Sequence, residues 1–394
     1  MARVNTSAER NSTQPRPGIE YILPLRWKTD DELADLTAYL TALREWADIT
    51  IIDGSDPDRF AAHAATWSGL ARHIPVDGRA GMNGKVRGVL TGLAVARHEH
   101  LVIADDDVRY DRDTLTAVVS DLAIASLVKP QNHFAPLPWH ARWDTARTLL
   151  NRAVASDYPG TYAVRRSTLR LAGGYSPNVL FENLEMERTI RAVGGVISDR
   201  PDIYVKRRPP TAQHFISQRS RQAYDSFAQP RRLLTEAAIL PLLITVRRCP
   251  AAIALLTLSA VALAERGRRR AGGQNVFAPT SALWAPLWLC ERAVTSWVAI
   301  GARLRGGVPY NGQRMRVAAH PPTQISRRLA AAGITIPATS ASDASNSRHA
   351  YRTARQESVG ERDGPDKSSN DQRRQVSGPG AELPAQTHPR SMLR

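Results

Sequence analysis

The stretch Leu101-Val102-Ile103-Ala104-Asp105-Asp106-Asp107 decides the reading of the fold. Four apolar residues run without alternation, as in a strand buried on both faces of a parallel sheet. Three carboxylates then follow in a row and repel one another. Acids stacked at the end of a buried strand suit a hard divalent cation, which takes one or two carboxylates and fills its shell with water and phosphate oxygens. Mg²⁺ or Mn²⁺ is the expected ion. A solvated turn leading into a helix from Asp111 is the plainer alternative.

Working outward, the preceding residues alternate strands with helices. Glu20–Leu25 reads as a buried strand, and Asp30–Glu45 as a helix with Leu33, Leu36, Leu40 and Leu43 on one stripe. Asp48–Asp53 reads as a second strand and His73–Pro75 as a short third. Asn83-Gly84-Lys85 opens a helix to Ala96, followed by His100–Ala104 as the strand already quoted. Strands and helices at this spacing imply βαβ units and a mostly parallel sheet flanked by helices, an α/β fold. Ligands then bind beyond the carboxyl ends of the strands. Asp53 ends the second strand, where a carboxylate accepts hydrogen bonds from a ribose or base; an Asx-turn with Gly54 and Ser55 is the alternative. Lys85 offers a cation at a helix start, suited to phosphate. Phe181-Glu182-Asn183-Leu184-Glu185 opens another helix, with Glu182 and Glu185 as candidate general bases. Gln218, Arg221 and Gln222 share one face if their stretch is helical, and Arg221 suits a diphosphate.

Four zones follow: a polar leader over 1–17, an α/β domain over 18–230, a membrane-associated helical region over 231–318 and a mostly disordered tail over 319–394. The leader has no apolar core and is not read as a secretory signal. The tail is rich in Ser, Asp, Arg, Gln, Gly and Pro, too polar to offset its ordering entropy. Cys249 and Cys290 are the two cysteines, so no disulfide framework is expected and a reducing cytosolic environment fits. A hydrophobic share of 42% excludes wholesale disorder.

The net charge of +16 calls for an anionic partner. From Arg207 to Arg270 arginines flank or interrupt apolar stretches, a pattern of membrane surfaces more than of nucleic acid. No Cys/His array or basic heptad region is present. Ala251–Ala264 falls short of a bilayer span, Ile239–Val246 is shorter still, and Ala282–Ala302 contains Glu291 and Arg292. A membrane-embedded hairpin or interfacial helices are expected, with Trp284, Trp288 and Trp297 as an aromatic belt.

Taken in order, these motifs resemble a family-2 glycosyltransferase of the GT-A fold. The resemblance rests on Pro24 in the opening strand, Asp53-Gly54-Ser55, Asn83-Gly84-Lys85, Asp105-Asp106-Asp107, Gly173-Gly174-Tyr175, Glu182 at a helix start, and Gln218-x-x-Arg221-Gln222. It implies an inverting, metal-dependent hexosyltransferase. The sugar moves from a nucleotide-diphosphate donor, expected to be uridine-linked, to a hydroxyl of a lipid-linked or glycan acceptor. It further implies a place on the cytoplasmic side of the cell membrane, in envelope biosynthesis. Pro24, Asp53, Lys85, Asp105, Asp106, Gln218, Arg221 and Gln222 would contact the donor, and Asp105 and Asp107 the metal. Two positions depart from the pattern. Asn183 stands where the usual base carboxylate would be, and an amide cannot take the proton. Gln222 replaces a tryptophan of processive enzymes, so single-sugar transfer is expected. A nucleotidyltransferase and a degenerate transferase serving as a membrane scaffold are the alternatives; nucleic acid is not an expected partner.

Overall fold

The computed structural model describes residues 18–310 and 312–334. The expected leader 1–17 and the tail beyond 334 lie outside the described residues. The first half alternates strand and helix: β1 Ile19–Leu25, α1 Leu33–Leu43, β2 Asp48–Asp53, α2 Pro57–Thr66, β3 Arg72–Pro75, α3 Gly84–Val95, β4 His100–Ala104, β5 Val108–Arg109 and α4 Arg112–Ser120. Next come β6 Leu127–Phe134, α5 Trp139–Val154, β7 Thr161–Arg165, α6 Arg166–Leu171, α7 Glu182–Ala192 and β8 Ile197–Arg207. Four longer helices follow, α8 Ala212–Tyr224, α9 Pro230–Val246, α10 Pro250–Arg269 and α11 Ala285–Leu304, then the hairpin β9 Val308–Tyr310 and β10 Gln313–Met315, and α12 Pro322–Ala331.

Eight strands form one sheet in the order β3-β2-β1-β4-β7-β6-β8-β5. The pairs β3–β2, β2–β1, β1–β4 and β6–β8 are parallel, while β7 runs antiparallel between β4 and β6. This is the expected α/β fold, mostly parallel and flanked by helices.

Strand periodicity builds its two cores. Tyr21, Leu23, Ile51 and Val102 pack with Leu36, Leu40 and Leu43 of α1 on one face. Ile22, Ile52, Leu101 and Ile103 pack with Val86, Val89 and Leu90 of α3 on the other. Successive strand residues alternate between faces, so an uninterrupted apolar run serves both. Local signals place the helix starts. Asn83 accepts from the Val86 N–H at 3.3 Å and Asp111 from the Thr114 N–H at 2.8 Å, each capping a first turn. The Asp111 cap is the plainer expectation, realised immediately downstream of the acidic run.

The region expected at 231–318 packs closely on the α/β layers. A Cβ on Gly267 of α10 would lie 1.9 Å from the Leu149 carbonyl oxygen of α5, so only glycine admits this helix crossing. Residues 319–334, expected to begin the tail, instead carry α12. Its Ile325 and Leu329, one turn apart, are buried against Ala172 and Val193.

Candidate active site

The carboxyl end of β4 carries Asp105, whose N–H bonds the Gly160 carbonyl at 2.9 Å. The end of β8 brings Arg207 to the same point. Its Nε donates to Asp107 Oδ2 at 2.8 Å, and its Nη2 lies 3.4 Å from Asp105 Oδ2. A Cβ on Gly160 would meet Asp105 Oδ2 at 2.8 Å and the Arg207 guanidinium carbon at 3.2 Å, so the lack of a side chain there makes room for this pair. Lys85, in the first turn of α3, sits 2.6 Å from Asp105 Oδ1 and 2.9 Å from Glu182 Oε1. Burial opposes its charge, but Asp105 and Glu182 more than compensate and hold its pKa above the ordinary lysine value. One cation thus bridges the acidic run and the first residue of α7.

These groups share a cavity of about 350 Å³ with Gln218, Arg221 and Gln222 of α8. Six arginines and Lys85 line it against five carboxylates, an environment suited to a diphosphate. Arg221 bonds Gln218 Oε1 at 3.3 Å and lies over the Tyr310 ring at 4.8 Å, beside the stretch Gly306–Gly312. Arg207, Arg219 and Arg232, expected to border a membrane, line this cavity instead. Arg207 and Arg219 depend on contacts far along the chain, with Asp107 and Asp144, which no local pattern reveals, whereas Arg232 pairs with Glu236 one helical turn on.

Asp107 bears on the metal. Burial, with Asp105 and Asp106 nearby, pushes its carboxyl up to about 6 despite Arg207. Its Oδ1 is buried and has no hydrogen-bond partner. A carboxylate short of compensating charge, with one oxygen unused beside a second acid, fits a divalent cation.

Four expected site residues lie elsewhere. Asp106 turns away and accepts from Trp27 Nε1 at 2.5 Å. Asp53 is only 2% exposed. It accepts from the Ser55 N–H at 2.8 Å, the expected Asx-turn, and meets His63 Nδ1 at 2.7 Å and His73 Nε2 at 3.0 Å. Those contacts engage both of its carboxylate oxygens. Pro24 packs closely on α3, 2.9 Å from where a Gly88 Cβ would be. Glu185 is buried, accepting from the His320 N–H at 2.8 Å and facing its Nδ1 at 2.9 Å. It ties α7 to the segment before α12. Only Glu182 of the two candidate bases lines the cavity, and Asn183 donates to the Pro159 carbonyl at 2.8 Å.

Residues 65–130 match the model for glycosyl transferase family 21, a segment containing Lys85 and the whole acidic run. The chain is similar to GT-A glycosyltransferases. Among solved structures it resembles a mannosyltransferase from Pyrobaculum calidifontis in complex with GDP-Man and Mn²⁺, at 18% identity over 88% of this chain and 85% of that one, with a TM-score of 0.41. It also resembles glucosyl-3-phosphoglycerate synthase from Mycobacterium tuberculosis in complex with Mn²⁺, UDP and glucosyl-3-phosphoglycerate, at 18% identity over 52% and 77% of the two chains, with a TM-score of 0.33. No curated protein sequence gives a significant match.

Among the described residues, one helical stretch, Pro250–Asn275, is long and apolar enough to cross a membrane; its mean hydropathy reaches 1.3 and 17% of that window is buried. Cys249 and Cys290 are free and exposed.

Proposed function

We propose that this protein is an inverting glycosyltransferase that moves one sugar from a nucleotide-diphosphate donor, with uridine the first nucleoside to test, to an acceptor hydroxyl. The observation that carries the reading is that Lys85, Asp105, Asp107, Glu182, Gln218, Arg221 and Gln222, distant in sequence, line one cavity. Asp105 and Asp107 would hold Mg²⁺ or Mn²⁺, which when bound compensates charge on the leaving diphosphate. Lys85, Arg207 and Arg221 add fixed positive charge at the same place, and charge fixed in advance stabilises a developing anion without reorganisation. Glu182 takes the proton of the acceptor hydroxyl as its oxygen attacks the anomeric carbon from the face opposite the leaving group. Lys85, bonded to Glu182, holds that carboxylate toward the donor side.

The acceptor is lipid-linked or glycan, and the protein works on the cytoplasmic face of the cell membrane in envelope biosynthesis. Supporting this are the exposed apolar side chains of α10 and α11, among them Leu255, Leu258, Val294 and Trp297. The test is turnover of a panel of nucleotide sugars with Mn²⁺. Glu182→Gln should lower turnover by about a hundredfold or more, the usual scale of a general base. Full activity in that variant removes Glu182 from the mechanism. A scaffold role, with Asn183 as a sign of lost catalysis, predicts no turnover of any donor.

A further inference from the structure

Among the described residues two arginines are fully buried, and they differ. Arg152 donates to the Gly267, Pro201 and Arg270 carbonyls, to Gln131 and to the Tyr204 hydroxyl. Arg292 of α11 is equally buried, yet none of its three guanidinium nitrogens has a hydrogen-bond partner. The nearest carboxylate, Glu236, is 4.0 Å away. That group is already held by Arg232 at 2.8 Å and by the Ser226 hydroxyl at 2.6 Å. An unpaired guanidinium out of water is among the costliest features a fold can retain. The Trp288 ring, 4.9 Å from the guanidinium carbon, and the shared Glu236 offset part of that cost, but neither accepts a hydrogen bond from it.

Arg292 lines the cavity of the proposed active site where α8, α9 and α11 contribute. Arg232 lines it too, with a quarter of its side chain exposed. Asp225 Oδ1 and Gln222 Oε1, in the same wall, also lack partners. Unused donors, unused acceptors and two guanidinium groups that share one carboxylate therefore meet on one cavity wall. Water would satisfy the hydrogen bonds but leave the charge.

We propose that this wall binds a phosphate group carried by the acceptor, with Arg292 and Arg232 as its cationic contacts. The proposal rests on the glycosyltransferase reading for the word acceptor; the phosphate site itself does not. A guanidinium is the bidentate partner of a tetrahedral oxyanion, and two of them match a charge between one and two. The phosphate has two sources of the same chemistry, a soluble phosphate ester or a lipid headgroup.

The test is thermal unfolding of the full chain with sn-glycerol 3-phosphate in one arm and, in the other, phosphatidylcholine vesicles containing phosphatidic acid, against plain phosphatidylcholine vesicles. UDP or GDP with Mn²⁺ serves as a separate donor-side control. At least one phosphate arm should raise the melting temperature saturably, and the responding arm identifies the source. Arg292→Met should weaken that response at least about tenfold, Arg292→Lys less, and Arg232→Gln should weaken it independently. Without ligand, Arg292→Met should melt no lower than the parent chain, because methionine keeps the packing on Trp288 and removes a buried guanidinium that makes no hydrogen bond; a structural arginine would melt lower. Two results overturn the proposal: no saturable response in either arm, or an undiminished response in Arg292→Met. A response to phosphate with none to nucleotide and Mn²⁺ would instead sink the glycosyltransferase reading and leave the phosphate site standing.

Discussion

Asp225 shows how the cavity sets the chemistry of one side chain. Burial pushes its carboxyl up to about 7; Arg221 lowers it, Glu182 raises it, and Arg292 and Arg232 lower it further. The folded state therefore favours the protonated acid. A folded pKa above the ordinary carboxylate value of 3.8 contributes stability that is complete below that value and is lost as pH rises through about 7. Asp225→Asn keeps the shape without the charge. Its melting temperature should match the parent chain near pH 4 and exceed it by a few degrees at pH 8. Equal melting at both values would show that the carboxyl is not held protonated. Such behaviour is invisible in Asp225-Ser226 as a sequence. The placement of Asp105 at the end of a buried strand was legible because an uninterrupted apolar run precedes it. Arg292 was legible only as a blemish in an apolar helix, because its meaning lies in contacts it fails to make.

At the level of elements, the first four βα repeats follow from periodicity and caps, and their boundaries fall within a few residues of expectation. The reason is that each strand pairs with a near neighbour in sequence, as β1 does with β2 and β4. The strand β8 was not legible. Its eleven residues are largely polar, and it is held by pairing with β6, itself polar toward Phe134. Yet β8 delivers Arg207, the partner of both Asp105 and Asp107. The helix α12 was missed for a related reason: two apolar residues suffice when Ile325 and Leu329 both face α7. The link between α7 and that segment is testable through His320, whose ring and N–H meet the buried Glu185 carboxylate. His320→Ala leaves one carboxylate oxygen without its partner, which should cost about 1–3 kcal/mol of unfolding free energy. Chemical denaturation measures it; no loss of stability would mean that the backbone contact alone holds Glu185.

For the whole molecule, the +16 charge has more than one destination. Part of it lines the cavity, where six arginines and Lys85 outnumber the carboxylates. Among the described residues, most of the exposed large apolar side chains lie on α9, α10 and α11, as with Leu234, Leu258 and Trp297, and α9 and α11 also supply Arg232 and Arg292. A lipid surface on those helices would therefore sit next to the acceptor half of the site. The full chain should float with vesicles in a density gradient, and Leu255→Asp with Leu258→Asp should return it to the bottom fraction. Flotation unchanged by both charges would place the membrane contact elsewhere.

The central claim is that one cavity joins the acidic end of β4 to Glu182 as a sugar-transfer site. Turnover of UDP- and GDP-sugars by the full chain with Mn²⁺, compared with Asp107→Ala, tests it most directly. Release of nucleoside diphosphate from at least one donor is expected, reduced by about a hundredfold or more in the variant, the scale of losing a group that stabilises the leaving charge. Release by Asp107→Ala at the parent rate, or none from any donor by the parent chain, would contradict it.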